Sequence, residues 1–221
     1  MIIVKVDPER PEAESVRKIA GLLKRGDVAA IPTETFYALS ADPFSREAVE
    51  KIFAMKGRKP GKPILLLIPG KECVFDLVSE IPEVFPVLAD RFWPGPLTLI
   101  MRSSGKVPEW ISGGTGKIGL RVSPNRVAAE ILRECRFPLT GTSANIAGEP
   151  PSTSAIDAVH YFSAGIDLVV DAGKVSGGVP STLLDISSVP PLLVREGRIS
   201  REELQGVLQK RILDGEGSEF Y

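Results

Sequence analysis

Short apolar segments alternate with longer amphipathic segments along this chain of 221 residues. The short apolar runs predict strands over 2–6, 28–32, 64–68, 97–101, 117–122, 138–142, 168–171, 181–186 and 192–195. Apolar residues spaced three or four apart predict helices over 12–25, 45–56, 123–135 and 155–162, and a capping box at Ser200 predicts a last helix. The alternation predicts an α/β fold, and the closely spaced strands after residue 168 indicate some antiparallel pairing.

One domain is the expected organisation. A chain of 221 residues can bury a single sizeable core, and 43% hydrophobic with 25% charged residues is ordinary globular composition. The sequence contains no internal repeat and no long linker. We therefore expect one domain over 1–221 with its core at about 11–200, and a glycine-rich, frayed tail at 214–221.

The compartment can be predicted from what the sequence lacks. The two cysteines, Cys73 and Cys135, have neither metal-site spacing nor a disulfide framework, which favours a reducing environment and small core residues. The longest apolar run, 64–68, is too short to span a bilayer, and the first residues do not resemble a secretory signal. The prediction is a cytoplasmic protein without a membrane partner.

Two familiar catalytic devices do not fit the sequence. The one histidine, His160, lies beside two aromatic residues near a helix end, where a packing or capping role is favoured over a catalytic triad. The segment 113–117 resembles a phosphate-binding loop, but the pattern's first glycine is replaced by Ile111 and its Ser/Thr by Ile118. Neither feature predicts chemistry.

Polar side chains follow two of the predicted strands. Thr33, Glu34, Thr35 and Tyr37 come after the strand over 28–32, and Ser143 and Asn145 come after the strand over 138–142. In open α/β sheets, ligands bind outside the carboxyl ends of strands. A ligand site is one interpretation of these segments, and ordinary polar loops are the other.

Cations accompany these polar segments. Lys56 and Arg58 end the helix over 45–56, and no acidic residue follows Glu50 in the basic segment 51–62. A lysine and an arginine two residues apart suit phosphate oxygens, although a solvated basic loop is equally compatible with the charge pattern. Arg121 ends a predicted strand and suits either a carboxylate ligand or a structural salt bridge. Ser181 and Arg195 add a hydroxyl and a cation at strand ends.

Six motifs occur in a fixed order: PTETFYAL (32–39), KGRKPGKPI (56–64), GLRVS (119–123), GTSAN (141–145), STLLD (181–185) and VREG (194–197). With them the chain resembles the YrdC-like family over about 11–200. The resemblance implies a twisted, largely parallel α/β sheet flanked by helices, with a concave basic face. It also implies a nucleotidyltransferase that makes L-threonylcarbamoyl-AMP and pyrophosphate from L-threonine, bicarbonate and ATP. The product serves the t6A modification at position 37 of tRNA.

The resemblance also implies residue roles. Lys56 and Arg58 would be catalytic and bind the ATP triphosphate, Ser143, Asn145 and Arg195 would bind the nucleotide, and Thr35, Lys62, Arg121 and Ser181 would bind threonine. We expect Lys56 and Arg58 to be exposed. Mg²⁺ would be carried by ATP, because the sequence has no carboxylate cluster for a protein metal site.

Two positions depart from the family pattern, and two other functions stay open. Ala38 replaces a usual glycine, and Leu67 stands where some longer members carry a histidine near threonine. The chain ends soon after its last helix, as in the short form of the synthase, which would pass its product to tRNA-modification transferase proteins. The alternatives are a non-catalytic module that binds tRNA or double-stranded RNA, and an enzyme that makes carbamoyl-adenylate from carbamoyl phosphate. The net charge of −1 weighs against RNA binding as the main role.

Overall fold

The strands are divided between two sheets in the computed structural model, which describes residues 1–59 and 61–215. The five-stranded sheet has the order β1 (Ile2–Lys5), β9 (Leu168–Asp171), β2 (Ala29–Pro32), β3 (Tyr37–Ser40) and β8 (Thr142–Ser143). The seven-stranded sheet has the order β12 (Leu213–Asp214), β11 (Leu192–Arg195), β10 (Thr182–Asp185), β5 (Leu97–Arg102), β6 (Lys117–Arg121), β4 (Leu66–Leu67) and β7 (Leu139–Thr140).

Eight α-helices within the described residues surround these sheets. They are α1 (Ala13–Lys24), α2 (Arg46–Lys56), α3 (Val74–Leu77), α4 (Phe85–Phe92), α5 (Glu109–Ser112), α6 (Arg126–Cys135), α7 (Ala155–Phe162) and α8 (Arg201–Leu208). Several begin at the capping residues that the sequence indicates. Ser45 Oγ accepts from Ala48 N at 3.4 Å, and a reciprocal capping box at Ser200 confirms the start of α8.

The helices cover two hydrophobic clusters. In one cluster, α1 and α6 pack against the five-stranded sheet through fully buried residues such as Ile19, Leu23 and Ile131. The larger cluster contains Ile52 of α2 and Leu204 of α8. Burial of these apolar stripes stabilises the helices on the sheets.

The expected mixed α/β domain is confirmed, but the expected predominance of parallel pairing is wrong. Among the described strands, five ladders are parallel and five are antiparallel. The strands β2 and β3 are joined by a tight turn, 33–36, and such a short connection permits only antiparallel pairing. The strand β3 itself is absent from the sequence prediction, which takes 33–39 as a polar segment after a strand.

The predicted strand over 138–142 is in fact two short strands in different sheets. β7 pairs with β4 in one sheet and β8 pairs with β3 in the other, with Gly141 between them. Gly141 N donates to Leu65 O at 2.8 Å, and a Cβ at this glycine would lie 2.8 Å from Leu67 Cγ. The lack of a side chain therefore lets the chain pass from one sheet to the other.

Two further expectations concern the chain end and the membrane. Asp214, which is part of the predicted frayed tail, pairs with β11 in β12, so the tail prediction is wrong for this residue. The rest of that prediction, from 216 onward, lies outside the described residues. Within the described part of the chain, no helix has the length and apolar character needed to cross a membrane.

Candidate functional site

A cavity of about 360 Å³ is lined by strands of both sheets. The five-stranded sheet contributes β3 and β8, and the seven-stranded sheet contributes β5, β6, β10 and β11. Six of the nine residues to which the resemblance gives a role line it: Thr35, Arg121, Ser143, Asn145, Ser181 and Arg195. Three others, Lys56, Arg58 and Lys62, are not among the lining residues. A cavity of this size is typical of a small-molecule site.

The turn 33–36 between β2 and β3 is built around a buried hydroxyl. Thr33 Oγ1 donates to Phe36 O at 2.7 Å and accepts from Thr35 N at 3.3 Å, so the turn satisfies its own polar groups. Thr35 Oγ1 lies 3.2 Å from Thr33 Oγ1, and both threonines line the cavity. The turn thereby presents a buried hydroxyl to the cavity without leaving its backbone unsatisfied.

Tyr37, which the sequence analysis places after a strand, is the first residue of β3 and lines the cavity. It has no surface exposed to solvent, and its hydroxyl donates to Gly173 O at 2.7 Å and accepts from Ala172 N at 3.3 Å. Burial of the ring raises the pKa of Tyr37 to about 12. The hydroxyl therefore ties β3 to the segment after β9.

The expectation that Lys56 is exposed is wrong, because the residue is only 5% exposed. Its ammonium donates to Ser143 O, to Asn145 O at 2.9 Å and to Asn145 Oδ1 at 3.1 Å. Burial, and next the charge of Arg58, lowers the pKa of Lys56 to about 7. Ser143 Oγ also donates to Asn145 Oδ1 at 2.6 Å. The lysine therefore joins the end of α2 to the turn 143–145.

Arg58 and Lys62 lie beyond the end of α2 and differ in burial from Lys56. Gly57 ends the helix in the left-handed conformation with φ of 61°, which turns the chain away. Arg58 is partly buried; it donates from Nη2 to Pro63 O at 2.9 Å, and its guanidinium lies 5.6 Å from the centre of the Phe53 ring. Lys62 is also partly buried.

Arg121 forms a salt bridge within the protein, which is one of the two roles expected from the sequence; the other is a contact with a ligand carboxylate. Its Nη1 lies 3.3 Å from Glu34 Oε1, and Ser123 Oγ donates to Glu34 Oε2 at 2.6 Å. Burial lowers the pKa of Arg121, and the charge of Glu34 opposes that change. Arg121 Nε is buried and has no hydrogen-bond partner among the described residues. The arginine therefore combines a structural contact with donors that remain for a ligand.

Ser181 and Arg195 form the opposite wall of the cavity. Arg195 donates to Ser181 O from Nη2 at 2.9 Å and from Nε at 3.3 Å, and Ser181 Oγ lies 3.2 Å from Thr98 Oγ1. Gly197 allows this contact, because a Cβ there would lie 2.3 Å from Pro180 O. The sequence analysis misses Thr98, although a lone threonine within the apolar run of β5 is a usable signal.

A segment over 172–181, called the strap below, connects β9 of one sheet to β10 of the other. Its backbone is bound to the turn 33–36: Gly177 N donates to Thr35 O at 2.9 Å, and Ser176 Oγ donates to Glu34 O at 2.7 Å. Arg198 donates to Gly177 O at 2.7 Å and to Val179 O at 3.2 Å. The strap therefore borders the cavity and is held on both sides.

The residues around the cavity offer no carboxylate ligands for a metal ion. The lining side chains include hydroxyls, an amide and two arginines but no aspartate or glutamate. The described part of the chain also has no group of three or more histidine, cysteine, aspartate or glutamate residues that could hold a metal. Such a lining suits anionic groups rather than a resident cation.

Ala38 and Leu67, the two residues that depart from the family pattern, differ in whether they line the cavity. Ala38 lines the cavity from β3, where it pairs with Ser143. Leu67 is fully buried in β4 and does not line the cavity. His160 is exposed, and its ring centroid lies 5.8 Å from that of the adjacent Tyr161, so the packing or capping role favoured by the sequence stays a prediction.

Comparisons with known proteins show which proteins this chain resembles in sequence and fold. The Sua5–YciO–YrdC family model, which has the description "Telomere recombination", matches residues 21–197. A threonylcarbamoyl-AMP synthase of Pyrococcus abyssi (strain GE5 / Orsay) is 38% identical over 207 residues, which are 94% of this chain and 61% of that protein. One of Bacillus subtilis (strain 168) is 34% identical over 195 residues, 87% of this chain and 56% of that protein. This chain thus spans less than two thirds of either relative.

A solved structure extends the similarity to three dimensions. The crystal structure of P. abyssi Sua5 complexed with L-threonine matches with a TM-score of 0.93 and 35% sequence identity. The match covers 100% of this chain and 68% of that chain.

Proposed function

The chain belongs to the Sua5–YciO–YrdC family, and on that premise we propose that it makes L-threonylcarbamoyl-AMP and pyrophosphate from L-threonine, bicarbonate and ATP. The product would serve the t6A modification at position 37 of tRNA. The observation that carries the proposal is the cavity between the two sheets, where buried hydroxyls and a buried arginine with an unpaired donor lie beside the Ser143–Asn145 turn. The threonine complex of a relative with the same fold supports an amino acid as one substrate.

Threonine would bind where hydroxyls meet Arg121. We assign the carboxylate of threonine to Arg121, whose buried guanidinium requires an acceptor. The other polar groups of threonine would contact Thr35 and Ser181. Lys62 remains a proposed contact from the resemblance; because it does not line the cavity, it would have to move toward the ligand.

The nucleotide would bind at the turn 143–145. Ser143, Asn145 and Arg195 line the cavity there, and Arg58 would contribute charge to the triphosphate. Lys56 would act from behind the turn, because its three hydrogen bonds hold both Ser143 and Asn145. Its ammonium would bring a positive charge close to the phosphates without needing to be exposed.

The proposed reaction needs alignment and charge neutralisation more than a general base. The threonine amine, after its ammonium form has lost a proton to water, adds to bicarbonate-derived CO₂ and releases a second proton to water, which gives a carbamate anion; a carbamate oxygen then attacks the α-phosphorus of ATP. The bond from that phosphorus to the bridging oxygen breaks, and pyrophosphate leaves. Arginine, lysine and hydroxyl donors can hold the two anions in line and offset their repulsion.

Mg²⁺, cellular location and macromolecular partners remain proposals of the resemblance. Mg²⁺ would arrive on the ATP phosphates, since the described residues that line the cavity supply no carboxylate. The reaction would take place in the cytoplasm, and transferase proteins that modify tRNA would accept the product. The concave basic face and direct binding of tRNA stay predictions.

Pyrophosphate release tests the proposal. Purified protein with ATP, Mg²⁺, bicarbonate and L-threonine should release pyrophosphate only when threonine and bicarbonate are both present, and L-serine should support much less release. Arg121→Gln should abolish threonine-dependent release. Arg102→Gln is a matched control, because Arg102 ends the neighbouring strand β5 but forms an exposed pair with Glu80 at 3.1 Å. Release with carbamoyl phosphate in place of threonine and bicarbonate would contradict the proposal, as would no release at all.

A further inference from the structure

We propose that Glu34 is a positioning residue that holds the Arg121 guanidinium so that its remaining donors face a ligand carboxylate. The inference rests on the proposed function, in which Arg121 receives the carboxylate of the amino acid. Glu34 does not itself line the cavity, and its contact with Arg121 joins the PTET and GLRVS motifs.

Glu34 is held by a hydrogen bond at one carboxylate oxygen, while the other, which is buried, has no hydrogen-bond partner among the described residues and faces Arg121 as an ion pair. It lies in the turn 33–36 with a side chain that is 12% exposed, and Ser123 Oγ donates to its Oε2 at 2.6 Å. The other oxygen, Oε1, lies 3.3 Å from Arg121 Nη1. Ser123 and Arg121 are two residues apart, so one short segment of chain both anchors the carboxylate and supplies the guanidinium that it faces.

Arg121 gains little hydrogen bonding from this contact. Its side chain is 5% exposed, it lines the cavity, and the described residues offer no hydrogen-bond acceptor to its Nε. A buried guanidinium left without acceptors is destabilising, and two parallel bonds to a carboxylate are the arrangement that best satisfies it. The ion pair with Glu34 therefore secures one side of the guanidinium, while Nε remains without an acceptor among the described residues.

A negative charge at position 34 is required for this arrangement. A glutamine would keep an oxygen for Ser123 Oγ, but its amide group would face Arg121 Nη1, and two N–H donors would then repel each other. The guanidinium would turn away from the orientation that suits a ligand carboxylate. Carboxylate recognition should weaken, while the nucleotide side of the cavity, at 143–145, should be unaffected.

The test compares L-threonine with L-threoninamide, which lacks the carboxylate, in direct binding to the full chain by calorimetry and in pyrophosphate release. Glu34→Gln should raise the KM for threonine about tenfold and reduce the preference for threonine over threoninamide by a similar factor. The KM for ATP should stay within about twofold. A merely structural role would weaken both amino-acid ligands equally and leave the preference unchanged, which would overturn the inference.

Two further variants complete the design. Ser123→Ala removes the anchor of the Glu34 carboxylate and should reduce the same preference by a smaller factor, so the idea stays testable if Glu34→Gln does not fold. Glu80→Gln breaks an exposed Glu–Arg pair and should leave the preference unchanged. If the unaltered protein binds no threonine, the proposed function fails and the inference with it. If it binds threonine and neither variant alters the preference, the inference alone fails.

Discussion

The buried Lys56 leads to a prediction about stability and pH. Its pKa in the folded protein is lowered to about 7 from the ordinary value of 10.5, so the unfolded chain binds more protons at this residue between those two pH values. The free energy of unfolding must therefore rise with pH in that window. Replacing Lys56 by methionine removes the titrating group and with it this contribution.

The size of the effect follows from the linkage relation. Each pH unit between the two pKa values contributes about 1.4 kcal/mol at most, and integration from pH 7 to 9.5 gives about 3 kcal/mol. This is an upper bound, because the three acceptor oxygens around Nζ favour the charged lysine. We expect the unaltered protein to gain between about 1.5 and 3 kcal/mol relative to Lys56→Met over this range.

Urea denaturation of both proteins at several pH values from 7 to 9.5 measures the effect. Other titrating groups cancel in the difference, and the hydrogen bonds lost in Lys56→Met add a constant offset. Lys59→Met is the control, because Lys59 is exposed three residues further along and reports the removal of one surface charge. A difference between the unaltered protein and Lys56→Met that changes by less than about 0.5 kcal/mol would refute the reasoning.

Three other predictions concern the walls of the cavity. Gly197→Ala should lower the free energy of unfolding by about 2 kcal/mol in urea denaturation, because its Cβ would lie 2.3 Å from Pro180 O; unchanged stability would contradict this. Tyr37→Phe removes the hydroxyl bonded to Gly173 O and should cost about 1–2 kcal/mol in the same assay, whereas no loss would show that the hydroxyl contributes nothing. Arg198→Gln should loosen the strap and raise the KM for threonine by roughly threefold with little change in melting temperature. An unchanged KM for threonine would contradict a role of the strap in threonine binding.

Several residues of the site could be predicted from the sequence because their placement depends on local patterns. Thr35, Ser143 and Asn145 each follow a short apolar run, and strand ends are where ligands bind in α/β sheets. All three line the cavity. The alternatives for Arg121 were also visible, since a cation at the end of a buried strand needs either a partner or a ligand.

The burial of Lys56 could not be predicted, because it depends on contacts distant in sequence. Its partners Ser143 and Asn145 lie 87 and 89 residues away, and no local pattern distinguishes this lysine from the exposed Lys59. The division of the strands between two sheets could not be predicted for the same reason. An apolar run over 138–142 predicts one strand, whereas pairing with β4 on one side of Gly141 and with β3 on the other divides it into two.

Three of the connections between the sheets explain why such distant motifs form one site. The chain crosses between the sheets at Gly141 and again through the strap, and the Glu34–Arg121 pair joins the turn 33–36 to the end of β6. Each connection borders the cavity or contacts a residue that lines it. A change in the spacing of the sheets would therefore disturb both the turn 143–145 and the Arg121 guanidinium. In the proposed reaction the threonine carbamate and ATP are anions that must be aligned, and a cavity fixed at three points gives the alignment that charge neutralisation alone does not provide.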